Sequence, residues 1–374
     1  MKIVFDGRWI GRTGIGRYSY ELLRELQEVD TDNEYIVMLL PHAFEGWEPS
    51  NANFSKVLVH EEVYTLKEQF SLPFTIRRLK PDLVHFPHFA YPIAYTGKFV
   101  VTVHDMTLVH FKNAHGSALK KLLYEGKYWA SRLTLWAAVR RAKGIITPTE
   151  FVKNELEDHF GLIPRTVTVT LEGVNEDLAE AHSAVEVGVE GPFILYVGNY
   201  YPYKNVERMI RAFSKSQSFE RGTKFVIVGK SDYFRRGLER VVDELGLNQA
   251  VIFAGRVDDD QLAALYQHAE LYVFPSLSEG FGLPGLEAMT HGTPVLSSNA
   301  SCLPEVYGAA ADYFDPLDVV DMRTKLDALL NDPKRLKELS QAGFSQSSHF
   351  SWSQMARLTL AVYKEALRHD GSRR

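Results

Sequence analysis

The densest chemistry in the chain lies in the run Glu279-Gly280-Phe281-Gly282-Leu283-Pro284-Gly285-Leu286-Glu287. A glycine-rich turn leads into Pro284, which suits the first turn of a helix, and Gly292 suits its stop. The N–H groups of such a turn can point at phosphate or sugar oxygens. Glu279 sits in the loop and Glu287 about one turn into the helix, so each carboxylate can accept a vicinal diol, one on a sugar and one on a ribose. An ordinary capped helix with two surface acids is the competing reading. It is disfavoured because the whole constellation follows an apolar strand, Leu271–Phe274.

Other residues could serve the same chemistry. Gly198-Asn199 and then Lys204-Asn205 follow the apolar run Phe193–Val197, and Gly229-Lys230 follows Lys224–Val228. A lysine there could meet the negative charge that grows on a departing diphosphate, a kind of preorganised interaction worth roughly 3 kcal/mol in a transition state. As a lone residue, Lys204 could equally be a solvated surface lysine. Gly11, Gly14 and Gly16 allow a tight turn before a helix, whose first N–H groups favour an anion. Their order, G-x-x-G-x-G, is not the dinucleotide-binding order, and no acid ends the following strand. His104-Asp105 closes the strand Phe99–Val103 and reads as a polar, sugar-contacting pair.

Several eye-catching groups read as structure. His85 and His88 stand three apart, but no further ligands cluster with them, so packing is expected rather than a metal. Asp258-Asp259-Asp260 precedes an amphipathic run, where acids serve capping and the helix dipole. Cys302 is the single cysteine, which excludes an internal disulfide and reads as a small buried residue. No metal site and no cofactor are expected.

The elements that must position these groups alternate. Lys2–Asp6, Tyr35–Leu40, Val57–Val59, Leu83–Phe86 and Phe99–Val103 are strand-like, and an amphipathic helix is expected over Ser19–Glu28 with Tyr20, Leu22, Leu23 and Leu26 on one face. The alternation resumes with Phe193–Val197, Lys224–Val228, Ala250–Phe253, Leu271–Phe274 and Pro294–Ser297. Strand and helix in series imply parallel sheets with helical crossovers, here twice, around a weakly patterned stretch at Glu180–Gly191. In such sheets ligands lie beyond the C-terminal strand ends, where these motifs fall. Phe350, Trp352, Met355, Leu358 and Val362 mark a last helix.

Bulk properties bound the rest. The chain has 374 residues, 45% of them hydrophobic and 24% charged, and a net charge of −5, which argues against a general nucleic-acid partner. No signal peptide is visible, and no run approaches the about 20 apolar residues of a membrane span. A cytoplasmic protein is expected. Between Lys112 and Lys143, however, eight lysines and arginines face one acid, Glu125, among Leu119, Leu122, Leu123, Trp129, Leu135, Trp136 and Val139. Lys120 and Lys121 lie in this stretch. It could lie on an anionic membrane surface at the inner face of the cell membrane, or bury its apolar residues in the core.

Taken together, these residues resemble glycosyltransferase family 4, retaining enzymes of the GT-B fold. The likeness runs through Thr13-Gly14-Ile15-Gly16-Arg17-Tyr18, Thr102-Val103-His104-Asp105, Tyr196-Val197-Gly198, Lys204-Asn205, Phe274-Pro275-Ser276, Glu279 to Met289, Gly292-Thr293-Pro294-Val295, Leu303-Pro304-Glu305-Val306 and Phe350-Ser351-Trp352. The branch it is most similar to is that of O-antigen and capsule mannosyltransferases. The resemblance implies an α/β fold of two doubly wound, Rossmann-like domains facing across a cleft. Residues 1–185 would bind the acceptor, residues 190–350 the nucleotide sugar, and residues 351–374 would cross back to the first domain.

The resemblance also implies roles. Glu287 would grip the ribose and Glu279 the donor sugar hydroxyls. Phe281, Gly282 and Leu283 would offer backbone N–H groups, and Lys204 would bind the diphosphate. His104 would stand beside the reacting sugar, and Gly14 and Gly16 near phosphate and acceptor. Gly198, Asn199 and Gly229 would complete the donor site. Asn199 stands where many members carry arginine, and Tyr203 where others do. The implied reaction is metal-free transfer of a hexose, mannose from GDP-mannose, to a glycan or lipid-linked acceptor in cell-envelope polysaccharide synthesis. The alternatives are a UDP-sugar donor, a sugar-nucleotide epimerase of the same fold, or a sugar-nucleotide-binding protein without turnover.

Overall fold

The computed structural model describes residues 1–12, 14–112, 118–161, 167–174 and 188–368, and of residues 118–123 the backbone alone. Thr13, the Leu119, Lys120, Lys121, Leu122 and Leu123 side chains, most of the stretch 180–191 and the last residues of 351–374 lie outside the described residues. The chain divides into two units, one of Met1–Gly173 with Ser351–Arg374, the other of Val174–Phe350.

In the first unit, strands β1 (Lys2–Asp6), β2 (Glu34–Leu39), β3 (Phe54–Leu58), β4 (Leu83–Phe86), β5 (Phe99–Thr102), β6 (Gly144–Thr147) and β7 (Val167–Val169) form one parallel sheet in the order β3-β2-β1-β4-β5-β6-β7. The helices between them are α1 (Gly14–Val29), α2 (Pro41–Phe44), α3 (Leu66–Leu79), α4 (Thr107–His110), α5 (Ala118–Arg141) and α6 (Glu150–Phe160). Strands such as Leu83–Phe86 and Phe99–Thr102 are buried at every residue, which is why they read as largely apolar runs, interrupted only by His85 and Thr102, rather than alternating ones. Thr65 and Thr149 start α3 and α6 by accepting from the backbone N–H groups of Glu68 and Val152.

The second unit repeats the plan. Strands β8 (Phe193–Val197), β9 (Lys224–Val228), β10 (Val251–Gly255), β11 (Leu271–Phe274), β12 (Val295–Ser298) and β13 (Ala311–Phe314) pair in parallel in the order β10-β9-β8-β11-β12-β13. Helices α7 (Val206–Phe213), α8 (Gln217–Glu220), α9 (Arg235–Glu244), α10 (Asp259–His268), α11 (Leu283–Thr290), α12 (Leu303–Tyr307), α13 (Val319–Leu330) and α14 (Pro333–Ser347) connect or flank them. Helix α15 (Trp352–Arg368) then belongs to the first unit, where it packs on α1, β5 and β6. Both units are doubly wound. Each reverses strand order at its first strand, between β1 and β4 and between β8 and β11, so the loops leaving those strands diverge and open a crevice.

Three expectations need correction. Strands β6, β7 and β13 were not anticipated; they are short, and β13 mixes Asp312 into an apolar run. Helix α1 begins at Gly14, five residues before the expected start, so its buried stripe is Tyr18, Leu22, Leu23 and Leu26 while Tyr20 is 45% exposed. Phe350 precedes α15, and Leu358 faces partly outward because Trp352, Met355, Thr359 and Tyr363 form the buried side.

Candidate active site

The second unit gathers most of the sequence-predicted residues at its own switch point. After β8 the chain turns through Gly198 and Asn199 to a short turn, Pro202–Lys204, and Asn205 adopts a left-handed conformation (φ 61°) before α7. Asn205 ties this loop to the one after β11. Its amide donates to the Pro275 and Pro316 carbonyls at 3.0 and 2.8 Å, and the Leu277 N–H donates to the Tyr203 carbonyl at 2.7 Å. The result brings Lys204 Nζ to 2.6 Å from Glu279 Oε1, both side chains mostly buried. A lysine and a glutamate from loops 75 residues apart are thus one unit.

Glu279 stands at the mouth of a turn that is braced from below. Its N–H donates to Ser301 Oγ at 3.1 Å, and the Cys302 thiol reaches its carbonyl at 3.2 Å and that of Phe281 at 3.4 Å. Burial pushes the Cys302 thiol well above the ordinary range, so it stays a neutral donor. Gly282 is left-handed (φ 102°) and caps α11; the Tyr307 hydroxyl donates to its carbonyl at 2.6 Å. A Cβ on Gly285 would lie 2.3 Å from that hydroxyl, so only glycine lets α11 sit on Tyr307. Leu283 is the first helical residue, with Pro284 next, where a missing N–H costs nothing. Glu287, one turn on, is buried and accepts from Tyr266 Oη at 3.1 Å, and Tyr266 stacks on His291.

Gly229, at the end of β9, presses against Gly198: a Cβ there would lie 2.0 Å from the Gly198 carbonyl oxygen. Asn199 holds its own turn, its side-chain oxygen accepting from the Tyr201 N–H at 3.2 Å. It therefore shapes the backbone without supplying charge. Lys230 follows Gly229 and is exposed. Asp258, by contrast, is a helix cap. Its carboxylate accepts from the Gln261 N–H while the Gln261 side chain accepts from the Asp258 N–H, and Asp259 and Asp260 lie in the first turn of α10. Among the described residues no three His, Cys, Asp or Glu side chains converge as a metal site would require.

The first unit holds Gly14, Gly16 and His104. Gly14 opens α1 and is exposed, and Gly16 lies so close to the Trp9 carbonyl that a Cβ would stand 2.3 Å from its oxygen. His104, just after β5, has both ring nitrogens engaged: Nε2 lies 2.9 Å from the Pro87 carbonyl oxygen and Nδ1 3.3 Å from Glu172 Oε1. Tyr18 meets its ring edge-on at 4.6 Å. His104 is thereby fixed in orientation. His85 is buried between Tyr363 Oη (2.6 Å) and Thr102 Oγ1 (2.9 Å), and His88 accepts from the Ala90 N–H at 2.9 Å. Burial, with the nearby charge of His104, lowers both imidazoles to about 3.

Sequence reading missed the supporting set: Tyr266, Ser301, Tyr307, Asn205 as a bridge, Glu172, and Arg8. The Arg8 guanidinium is fully buried, fork-bound to Asp6 and 2.7 Å from Glu68, with Nη1 on the Glu61 carbonyl. A basic residue directly after a first strand is too common a pattern to signal this. Asn205 and Tyr307 were within reach, since each adjoins a motif residue already singled out.

Two family models match the chain consecutively, "Glycosyltransferase Family 4" over residues 12–178 and "Glycosyl transferases group 1" over residues 179–346. A serotype-specific mannosyltransferase, WbdA, of Escherichia coli is 33% identical over 243 residues, 62% of this chain and 30% of that protein. The chain thus spans less than a third of that relative. The O-antigen chain mannosyltransferase B of Escherichia coli is 27% identical over 389 residues, 97% of this chain and all of that protein. Sucrose-phosphate synthase from Thermosynechococcus elongatus shares the fold, with a TM-score of 0.77 at 18% identity over 98% of this chain and 99% of its own. With both of its doubly wound units matched by these consecutive models, the chain belongs to the glycosyltransferases of family 4, enzymes of the GT-B fold.

Proposed function

We propose that this glycosyltransferase moves mannose from GDP-mannose to a glycan or lipid-linked acceptor in cell-envelope polysaccharide synthesis, with retention of configuration. The observation that carries the reading is the Lys204–Glu279 pair, on the loops that follow β8 and β11 at their switch point and upstream of Glu287. In this reading Glu287 accepts the ribose diol and Glu279 the sugar hydroxyls, while the N–H groups of Phe281, Gly282 and Leu283 face the donor. Lys204 stabilises charge as the diphosphate leaves. The bond from the anomeric carbon to the phosphate oxygen breaks, and a bond to the acceptor oxygen forms on the same face. The acceptor hydroxyl proton passes to the departing phosphate. The first unit, with His104, Gly14 and Gly16, serves the acceptor and the reacting sugar. Mannose is supported by the names of the relatives, both mannosyltransferases.

Transfer without a resident metal is part of the proposal, supported by the capping role of Asp258. A lipid-linked acceptor would bring the enzyme to the inner face of the cell membrane; a nucleic-acid partner is not expected. The test is a thermal-shift screen of GDP, UDP and ADP sugars, followed by transfer of labelled sugar with and without excess EDTA. GDP-mannose should stabilise the protein most and be turned over equally in both conditions. Turnover of UDP-sugars with none of GDP-mannose would overturn the donor assignment. Loss of transfer in EDTA, restored by manganese or magnesium, would overturn the metal-free one.

A further inference from the structure

Three loops leave the C-terminal ends of β1, β4 and β3 in the first unit, and each carries an aromatic ring to one place. Trp9 follows β1, His88 follows β4 and Tyr64 follows β3. The Trp9 and His88 rings lie 4.8 Å apart between centroids, and Tyr64 stands nearly at right angles to both, at 5.8 and 6.1 Å. Strands β1 and β4 adjoin where the strand order reverses, the position at which an open parallel sheet takes its ligand. Asp105, in the loop after β5, is close enough to act on the Tyr64 phenol, which is pushed up by desolvation first and then by the carboxylates of Glu68 and Asp105.

Tyr64 is held in a conformation that its side chain disfavours. Its φ is 61°, in the left-handed region, where a bulky residue is an outlier. The surroundings enforce it. The Tyr64 N–H donates to Glu68 Oε2 at 2.9 Å, and Glu68 Oε1 accepts from the buried Arg8 at 2.7 Å. Arg8 also donates to the Glu61 carbonyl at 2.9 Å, and Arg12 donates to Glu62 Oε2 at 2.7 Å. The loop before α3 is thus tied at Glu61, Glu62 and Tyr64 to the two arginines that follow β1. The buried ion pair fixes a ring that is nevertheless 51% exposed. Backbone strain that is over-determined in this way clusters at sites that clamp ligands.

Two ring N–H groups beside Tyr64 lack an acceptor among the described residues. Trp9 and His88 are both buried. Trp9 Nε1 has no hydrogen-bond partner there. His88 Nδ1 accepts from the Ala90 N–H, and burial keeps the ring neutral, so its proton sits on Nε2, which donates to no described residue. His85 is the contrast, with the Tyr363 hydroxyl on one nitrogen and the Thr102 hydroxyl on the other. Buried donors without an acceptor are costly and rare, so they mark where a ligand oxygen is received. Asp105 supplies the opposite need. One of its carboxylate oxygens accepts from the Thr107 N–H at 2.8 Å, and the other is bound to no described residue. An exposed phenol ring, two N–H donors and a carboxylate suit a pyranose, which offers an apolar C–H face and a rim of hydroxyls. We infer that Trp9, Tyr64, His88 and Asp105 form a saccharide subsite for a pyranose of the acceptor glycan, its C–H face on Tyr64 and its hydroxyls on the polar atoms. The inference rests on the reading that the first unit serves a glycan acceptor, and it is independent of which donor is used.

The full chain with nitrogen-15 in its tryptophans tests it by nuclear magnetic resonance, without any donor present. Among the five indole signals, the one lost in Trp9→Phe belongs to Trp9. Mannotriose should shift that signal saturably, with half-saturation at about 1–10 mM. Maltotriose and chitotriose are run beside it, and a saturable shift with either of those instead supports the subsite with a different sugar. Tyr64→Gly removes the ring and releases the left-handed backbone from strain, so the melting curve should hold while half-saturation rises about tenfold. Tyr64→Phe keeps the ring and should bind within about threefold of the parent chain. A Trp9 signal that none of the three sugars moves would overturn the inference, as would a Tyr64→Gly chain that binds like the parent. Sugar binding measured without donor and turnover measured with it fail separately, so loss of one is not mistaken for loss of the other.

Discussion

Lys204 and Glu279 come from loops after different strands and hold each other at 2.6 Å in a mostly buried setting. Removing one partner of such a pair leaves the other charge uncompensated, so single substitutions report more than a lost contact. Lys204→Ala should lower kcat about a hundredfold while changing the affinity for guanosine less than about threefold if, as proposed, the lysine acts on charge that grows during departure. Glu287→Ala should do the reverse, weakening GDP binding about tenfold through loss of the proposed ribose acceptor. Steady-state kinetics beside calorimetry separates the two; a Lys204→Ala enzyme of near-normal rate would assign the diphosphate to another cation, with the exposed Lys230 the first to examine. The buried Arg8 with Asp6 and Glu68 shows the same economy of charge in the first unit, where the paired carboxylates hold the guanidinium protonated against burial.

At the scale of elements, α11 is a short helix that packs on α14 and is braced at its start by Tyr307. Tyr307 at the end of α12 donates to the Gly282 carbonyl and lies under Gly285, so one phenol braces both the turn before α11 and the first turn of the helix. Gly285→Ala would gain roughly 1 kcal/mol of helix propensity in an isolated helix. Here the added methyl meets the Tyr307 hydroxyl, and a net loss of about 1–3 kcal/mol is expected instead. Tyr307→Phe should cost about 1 kcal/mol by removing the hydrogen bond. The double variant should be only somewhat more stable than the sum of the two, because the nearest blocking atom is gone while the ring carbon Cζ, 2.4 Å from the added methyl, remains. Denaturant midpoints of the four proteins test this; strict additivity would show that α11 does not rest on Tyr307 as described.

For the whole molecule, the first unit is closed by a segment far along the chain. Helix α15 packs on α1, and its Tyr363 reaches His85, which in turn meets Thr102, itself 3.0 Å from Tyr18. Burial keeps His85 and His88 near a pKa of about 3 against an ordinary 6.5. The unfolded chain takes up these two protons below pH 6.5 and the folded chain does not, so the stabilisation is complete above pH 6.5 and is lost as pH falls toward 3. Each pH unit in that window costs about 1.4 kcal/mol per histidine. Between pH 7.5 and pH 5 the loss should be about 4 kcal/mol, roughly half of it removed by His88→Asn, whose amide oxygen can still accept from Ala90. Urea denaturation at the two pH values measures it, and a stability that stays flat across them would mean that the imidazoles take up protons without unfolding.

The repeating apolar runs determined most of the fold on their own. A strand buried on both faces is apolar along most of its length, so Leu83–Phe86, Phe193–Val197, Lys224–Val228 and Leu271–Phe274 could be bounded to the residue. The turn chemistry of Gly282, Pro284 and Gly292 likewise marked α11, because backbone conformations that need glycine or exclude an N–H leave a local signature. What the sequence could not contain was partnership across long separations. The pairing of Lys204 with Glu279, the support of Tyr307 under Gly285, and the outward aim of one apolar stripe of α3 depend on which strands neighbour which, here β8 beside β11 and β1 beside β4. Nothing local distinguishes Leu66, Phe70 and Phe74 from core residues; their exposure follows from α3 having already buried Leu72 and Ile76 on its other side. Local preferences set by sterics and hydrogen bonding can be read residue by residue, whereas the long-range pairing that places charges together exists only once the sheet has closed.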